Sequence, residues 1–234
     1  MDAPTSAVAI ASVAAATRIL EPFFSKVVGA TGEIIANSLL DRYNGRRAVN
    51  LAKVVARAQE RARENGLDPS KIPLKVIHPL IENASLEEDV DLQNMWANLL
   101  YAASDQTVSP KPYPAFVEVM KQLSREEARL FNAMWDVLEP LYDAFDRATP
   151  PERESLGHPL KHFDGSGLGS LYLKANALPE GTERERPYEI GVALENMERL
   201  GLLELKAGHF KVPRFSRLFA SVCRHGGPRE PLTL

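Results

Sequence analysis

The sequence predicts a mainly α-helical protein: an N-terminal helical bundle followed by a small winged-helix-like C-terminal unit with one β-hairpin. Three observations predict it. Apolar residues recur every three or four positions over much of the 234-residue chain. Two Ser-x-x-Glu helix starts, at Ser85 and Ser124, each precede such a run. Near the C-terminus a helical pattern is followed by a hairpin pattern and then by another helical one.

In chain order, two helices fill the first 44 residues, separated near Gly29 to Gly32. A third runs from about Arg46 to Glu64, with Ala48, Leu51, Ala52 and Val55 as its apolar stripe and Asn65-Gly66 as its stop. Pro73 to Ala84 reads as a short segment with proline at its first helical position, kinked or divided by Pro79. The next helix covers Ser85 to about Ser104, capped by Ser85 and Glu88, with Leu92, Met95, Trp96, Leu99 and Ala103 inward. A loop over 105–114 leads into Ala115–Leu123. Ser124 and Glu127 then open a strongly amphipathic helix carrying Phe131, Met134, Trp135, Leu138, Leu141, Tyr142 and Phe145, bent at Pro140. Prolines and glycines crowd 148–187, which reads as a surface loop or insertion with at most a short element over Leu168–Leu178. Tyr188 to Leu200 follows, with Ile190, Leu194, Met197 and Leu200 inward. Leu202–Lys206 and His209–Val212 form the hairpin, and Phe215, Leu218, Phe219 and Val222 mark a final helix. The expected domains are therefore 1–45, an N-terminal docking or oligomerisation segment; 46–147, a helical core; 148–187, the insertion; and 188–234, the winged-helix-like unit.

Composition narrows the function classes. Hydrophobic residues make up 44% and charged residues 25%, with a net charge of −3, which is ordinary for a soluble globular protein and gives no global sign of a nucleic-acid binder. Cys223 is the single cysteine, so no intramolecular disulfide can form, in keeping with a cytoplasmic location. The uncharged run from Ala3 to Thr17 has no basic n-region and falls short of the ~20 residues a bilayer span needs. It continues through Leu20, Phe23, Phe24 and Val27, and reads as a helix docked on the core or on another subunit. Reversible membrane contact is the alternative, with only Arg18 and Lys26 to supply basic charge.

The run Ser-Leu-Glu-Glu-Asp-Val-Asp-Leu-Gln-Asn-Met-Trp-Ala-Asn-Leu-Leu at 85–100 carries a family resemblance. So do Lys75–Ala84 upstream, Pro114–Ala128 downstream and Met197–Leu203 near the end. Together these segments resemble the bacterial abortive-infection alpha family, well over Gly45–Phe145 and loosely over the C-terminal fifth. The resemblance implies a mostly helical protein of phage defence and mobile elements. It supplies no catalytic residues, so Glu87, Glu88, Asp89, Leu92, Trp96, Asn98, Leu99 and Leu100 enter as motif residues without an assigned duty.

Candidate chemistry is thin. On a helix Glu87, Asp91, Asn94 and Asn98 would line one polar face, but no histidine joins them as a metal site usually requires. Glu87, Glu88, Asp89, Asp91, Trp96 and Asn98 are therefore interaction candidates. Trp96 and Trp135 read as core, each N–H with a local acceptor. His158, His162 and Asp164 have metal-like spacing in a segment broken by Pro159 and Gly165. Gly165–Gly169 lacks the Lys-Ser/Thr of a phosphate loop and reads as flexible loop. No Gly-x-Ser-x-Gly elbow accompanies the serines, and Cys223 has no local nucleophile signature. Arg46, Lys53, Arg57 and Arg61 share one helix face, read as solvated, with docking against acidic 82–91 or binding of nucleic acid or anionic lipid as alternatives. A DNA-binding reading of the winged helix would use Arg184, Arg186, Lys206, Lys211, Arg214 and Arg217, although acidic Glu189, Glu195 and Glu198 share that helix. The expectation is a non-enzymatic protein without cofactor or metal, acting on a protein partner as a homo-oligomer.

Overall fold

The computed structural model describes residues 12–29, 45–107, 114–156, 165–179, 186–206 and 209–227. Among the described residues there are ten helices and one two-stranded antiparallel sheet. The chain divides into two compact units, Met1–Val117 and Glu118–Leu234.

The first unit holds α1 (Val13–Val28), α2 (Gly45–Glu64), α3 (Leu74–Ala84) and α4 (Val90–Ser104). Ser12 caps α1 by accepting from the Ala15 amide at 3.3 Å. Gly29 ends it at φ 87°, a conformation that glycine adopts without strain. Ala16, Leu20, Phe23, Phe24 and Val27 are buried, and this face packs against α2. Docking on the core is thus what these α1 residues do. The second helix expected before residue 44 lies outside the described residues.

Helix α2 has the expected stripe buried and stops at Gly66, whose φ of 63° and N–H to the Arg63 carbonyl close the last turn. It also packs against α4. Helix α3 runs unbroken through Pro79, and Pro73 sits just outside it as the cap residue. The connection from α2 to α3 is pinned at both edges: Ile72 donates to the Val27 carbonyl, and Ser70 donates twice to the Ser104 carbonyl.

Helix α4 starts five residues later than the Ser85 reading. Ser85 instead ends α3, and Asp89 is the cap. Two cap candidates stand in this run. Asp89 directly precedes the apolar period that α4 buries, while Ser85 is fully buried and accepts from Arg47, so only Asp89 can serve the new helix.

Helix α5 (Pro114–Met120) carries the division between the units. The second unit continues with α6 (Arg125–Arg147), α7 (Pro150–Leu156), α8 (Gly165–Ala175), α9 (Pro187–Arg199), β1 (Glu204–Lys206), β2 (His209–Lys211) and α10 (Arg214–His225). The Ser124–Glu127 capping box forms in full. Helix α6 is continuous through Pro140 and buries Phe131, Met134, Trp135, Leu138 and Tyr142. Trp135 stacks on Tyr142 with centroids 5.8 Å apart, and Phe131 meets Phe219 of α10 edge-on at 5.4 Å.

The proline- and glycine-rich stretch contains α7 and α8, and Gly165–Gly169, expected as loop, forms the start of α8. Leu168, Tyr172 and Leu173 explain it. They fall at helical spacing and are buried, and α8 packs against α6. Burying three such side chains, at about 1.5–3 kcal/mol each, outweighs the helix penalty of three glycines at about 1 kcal/mol each. Helix α9 buries Ile190, Ala193, Leu194 and Met197 and ends before Gly201, at φ 72°. The hairpin pairs Glu204 with Lys211, Leu205 with Phe210 and Lys206 with His209.

Candidate interaction site

The motif from 85 to 100 is spent almost entirely on building its own corner of the first unit. Oε1 of Glu87 accepts the amides of Glu88 at 3.0 Å and Asp89 at 2.9 Å. Burial pushes the Glu87 carboxyl above its ordinary range, against the pull of those two amides. Oδ1 of Asp89 accepts from Asp91 at 2.9 Å and Leu92 at 3.2 Å, which caps α4. Asp91 sits in the first turn, where the helix dipole favours a carboxylate. Gln93, which the sequence reading passed over, clamps the loop: its Nε2 donates to the Glu87 carbonyl at 2.8 Å, and its Oε1 accepts from Nη1 of Arg57 at 2.7 Å. Its position one turn into the helix, among apolar neighbours, is the signal that could have marked it. Trp96 is 1% exposed and Asn98 3%, so both belong to the core.

The polar face expected from Glu87, Asp91, Asn94 and Asn98 therefore does not exist. Glu87 precedes the helix and Asn98 is buried, which leaves Asp91 and Asn94 half-exposed. Among the described residues, no three His, Cys, Asp or Glu side chains gather as a metal site would require. His158, His162 and Asp164 lie outside the described residues, as does Arg184.

The basic face of α2 divides into two parts. Its N-terminal part docks on the acidic corner: Arg46 reaches Glu88 at 3.2 Å, and Arg47 donates to Oγ of Ser85 at 3.0 and 2.8 Å and to the Glu82 carbonyl at 3.2 Å. Arg47 is the residue that fixes Ser85 at the end of α3. Further along, Arg57 donates to the neutral Gln93, and Nη1 of Arg61 is sealed from solvent with no hydrogen-bond partner among the described residues. Of the face read as solvated, Arg46 stays exposed at its pair with Glu88, while the neighbouring Arg47 does the docking within the unit.

In the second unit the basic candidates separate likewise. Arg186 pairs with Glu189 at 2.9 Å. Arg217 pairs with Asp146 and lies over the Tyr142 ring at 4.5 Å. Burial raises the Tyr142 hydroxyl to about 12, with Arg217 opposing. Lys206 and Arg214 are exposed, and Lys211 is half-exposed. On α9, Asn196 donates to both oxygens of Glu127 at 2.8 Å, and Arg199 donates to Gln122 at 2.9 Å. Arg224 pairs with Asp136 and Glu139, and Nε2 of His225 lies 2.7 Å from Glu139. Trp135 is 4% exposed as expected, but its N–H has no acceptor among the described residues. The stacked Tyr142 ring and Phe131 pack against that indole instead. Cys223 is buried, and burial drives its thiol well above the ordinary range, which disfavours the thiolate a nucleophile needs. No helix among the described residues is long and apolar enough to cross a membrane.

A family model described as abortive infection alpha matches residues 46–218, from the start of α2 into α10. No curated protein and no solved structure matches the chain.

Proposed function

Because the chain belongs to the abortive infection alpha family, we propose that it is a phage-defence protein that works through contacts with other proteins, as a cytoplasmic homo-oligomer, rather than by catalysing a reaction. One observation carries the non-catalytic part. The motif carboxylates Glu87 and Asp89 are turned onto backbone amides of their own loop, and Glu88 onto Arg46, so the acidic start of α4 is occupied in holding α3, α4 and α2 together. A catalytic carboxylate pair would instead converge on a common point within reach of substrate.

The test has two arms. Cells expressing the chain should restrict phage plating, and the purified chain should show no nuclease or hydrolase turnover above that of Glu87→Ala and Asp91→Ala. A turnover that both variants abolish while keeping the wild-type circular dichroism would overturn the proposal. Co-purification from infected and uninfected cells then reports the class of partner.

The order α9, hairpin, α10, preceded by α6, favours a second reading, a winged helix acting on duplex DNA. Exposed Lys206 and Arg214 support it. Against it, α9 exposes Glu189, Glu195 and Glu198, and its Asn196 and Arg199 are already hydrogen-bonded within the unit. Retention on duplex DNA that falls with salt and weakens in Arg214→Gln would favour this reading.

A further inference from the structure

One stripe of α3 turns away from the core of the first unit and is complementary to itself. Leu74, His78 and Glu82 stand four residues apart along the helix, and all three are exposed. Two turn bonds carry the stripe past the helix end: Leu86 donates to the Asn83 carbonyl at 3.0 Å, and Glu87 to that of Ala84 at 3.3 Å. Leu74 at one end is 58% exposed and Leu86 at the other 59%, with Val90 beyond it at 56%. The charges at the two ends are opposite. Lys71 and Lys75 flank Leu74, lie exposed, and meet no carboxylate among the described residues. Glu82 and Glu88 flank Leu86 and are exposed as well. In the middle, Nδ1 of His78 lies 4.0 Å from its own Glu82, beyond hydrogen-bond reach.

We propose that this stripe joins two copies of the chain, with their α3 helices antiparallel about a two-fold axis. The surface locates the contact of the homo-oligomer proposed above and rests on that reading. A two-fold contact has to match its own reverse, and this stripe does. An axis at its middle sets Leu74 of each copy against Leu86 of the other, and His78 against Glu82. It also brings Lys75 of each copy within a turn of Glu82 of the other, so opposite charges meet twice. A parallel alignment would set like charges together. An unrelated basic partner would use the acidic end alone and leave Leu74, Lys71 and Lys75 uncovered. The turn presenting Leu86 is already fixed by the Arg47 and Glu87 hydrogen bonds, so association orders little that is free. From Leu74 to Leu86 the stripe spans about 18 Å at 1.5 Å per residue. That covers less than the roughly 800 Å² per partner of a standard interface, so the dimer is a reversible one.

Sedimentation equilibrium of the full chain tests it. A monomer–dimer equilibrium that weakens with added salt is expected. Leu86→Ala should weaken it by at least about tenfold, since each dimer loses two apolar contacts. Lys75→Glu alone and Glu82→Lys alone each set like charges face to face twice, and each should abolish the dimer where the wild type pairs. Mixed one to one, these two variants should dimerise again, because every contact between positions 75 and 82 then joins opposite charges. Circular dichroism checks that each exposed substitution leaves the helices intact, and Leu74→Ser serves if one of the others fails to fold. A dimer that survives Leu86→Ala and both charge variants would overturn this surface and leave the homo-oligomer standing. A chain that stays monomeric at low salt up to about 1 mM would overturn both. Assembly that grows past the dimer, or variants that fail to pair when mixed, would overturn the two-fold arrangement.

Discussion

The Asp89 carboxylate accepts from two amides that α4 cannot satisfy internally, so its removal should be felt directly in stability. Asp89→Ala is expected to cost about 1 kcal/mol, read as a lower urea midpoint with an unchanged slope. Ser85→Ala acts differently: it removes no cap and leaves two Arg47 N–H groups short of an acceptor. Glu87 gives a pH signature. Its carboxyl, raised from an ordinary 4.5, binds its proton more tightly in the folded chain than in the unfolded one. The stability held by that proton is fully present below the ordinary value and is lost as pH rises through the raised one. Glu87→Gln keeps an oxygen for the two amides and removes the charge. It should therefore match the wild type at about pH 4 and exceed it in urea midpoint at pH 7. A variant that matches the wild type at about pH 4 and is less stable at pH 7 would show that the charge itself holds the loop.

Among the elements, two glycines make opposite predictions. Gly66 sits at φ 63° with nothing within 4 Å of an added Cβ, so Gly66→Ala meets backbone strain alone and should cost about 1 kcal/mol. Gly191 lies inside α9 at an ordinary φ with equally open space, so Gly191→Ala should add about 0.5–1 kcal/mol. Thermal denaturation of the pair checks both signs. Helix ends with local chemistry were readable in the same way: the Ser124–Glu127 box and the Asn65-Gly66 stop need no partner from elsewhere in the chain. Where two candidate caps competed, as at Ser85 and Asp89, the choice depended on Arg47, thirty-eight residues before Ser85. Helix α8 was legible only as a short element over Leu168–Leu178; its glycine-rich start at Gly165–Gly169 was not, because three glycines lower its propensity and burial of Leu168, Tyr172 and Leu173 against α6 restores it.

At the scale of the whole molecule, the N-terminal apolar residues bear on the membrane reading. Ala16, Leu20, Phe23, Phe24 and Val27 are buried in the first unit. Truncating a single large core side chain costs about 2–5 kcal/mol, so removing this face exceeds the 5–15 kcal/mol that holds a typical domain. Deleting residues 1–28 should therefore abolish the cooperative unfolding reported by Trp96 in a Trp135→Phe background. A deletion that keeps a sharp Trp96 transition would show that α1 is dispensable to the unit and available for other contacts. For the same reason, liposome binding lost on this deletion would report unfolding, and exposed positions of α1 such as Arg18 are the informative ones to change.

The chain's periodicity alone determined that it is helical, where most helices run and which side chains they bury, because amphipathic spacing and glycine or capping stops are local properties. The family was equally legible, in a run of sixteen residues. Only the tertiary structure decided what those residues do. Whether a carboxylate is spent on an amide, or an arginine on a carboxylate or on nothing, depends on helices that meet across tens of residues. Burial then sets the cost of any charge left over. On that ground the acidic motif became a joint between α2, α3 and α4.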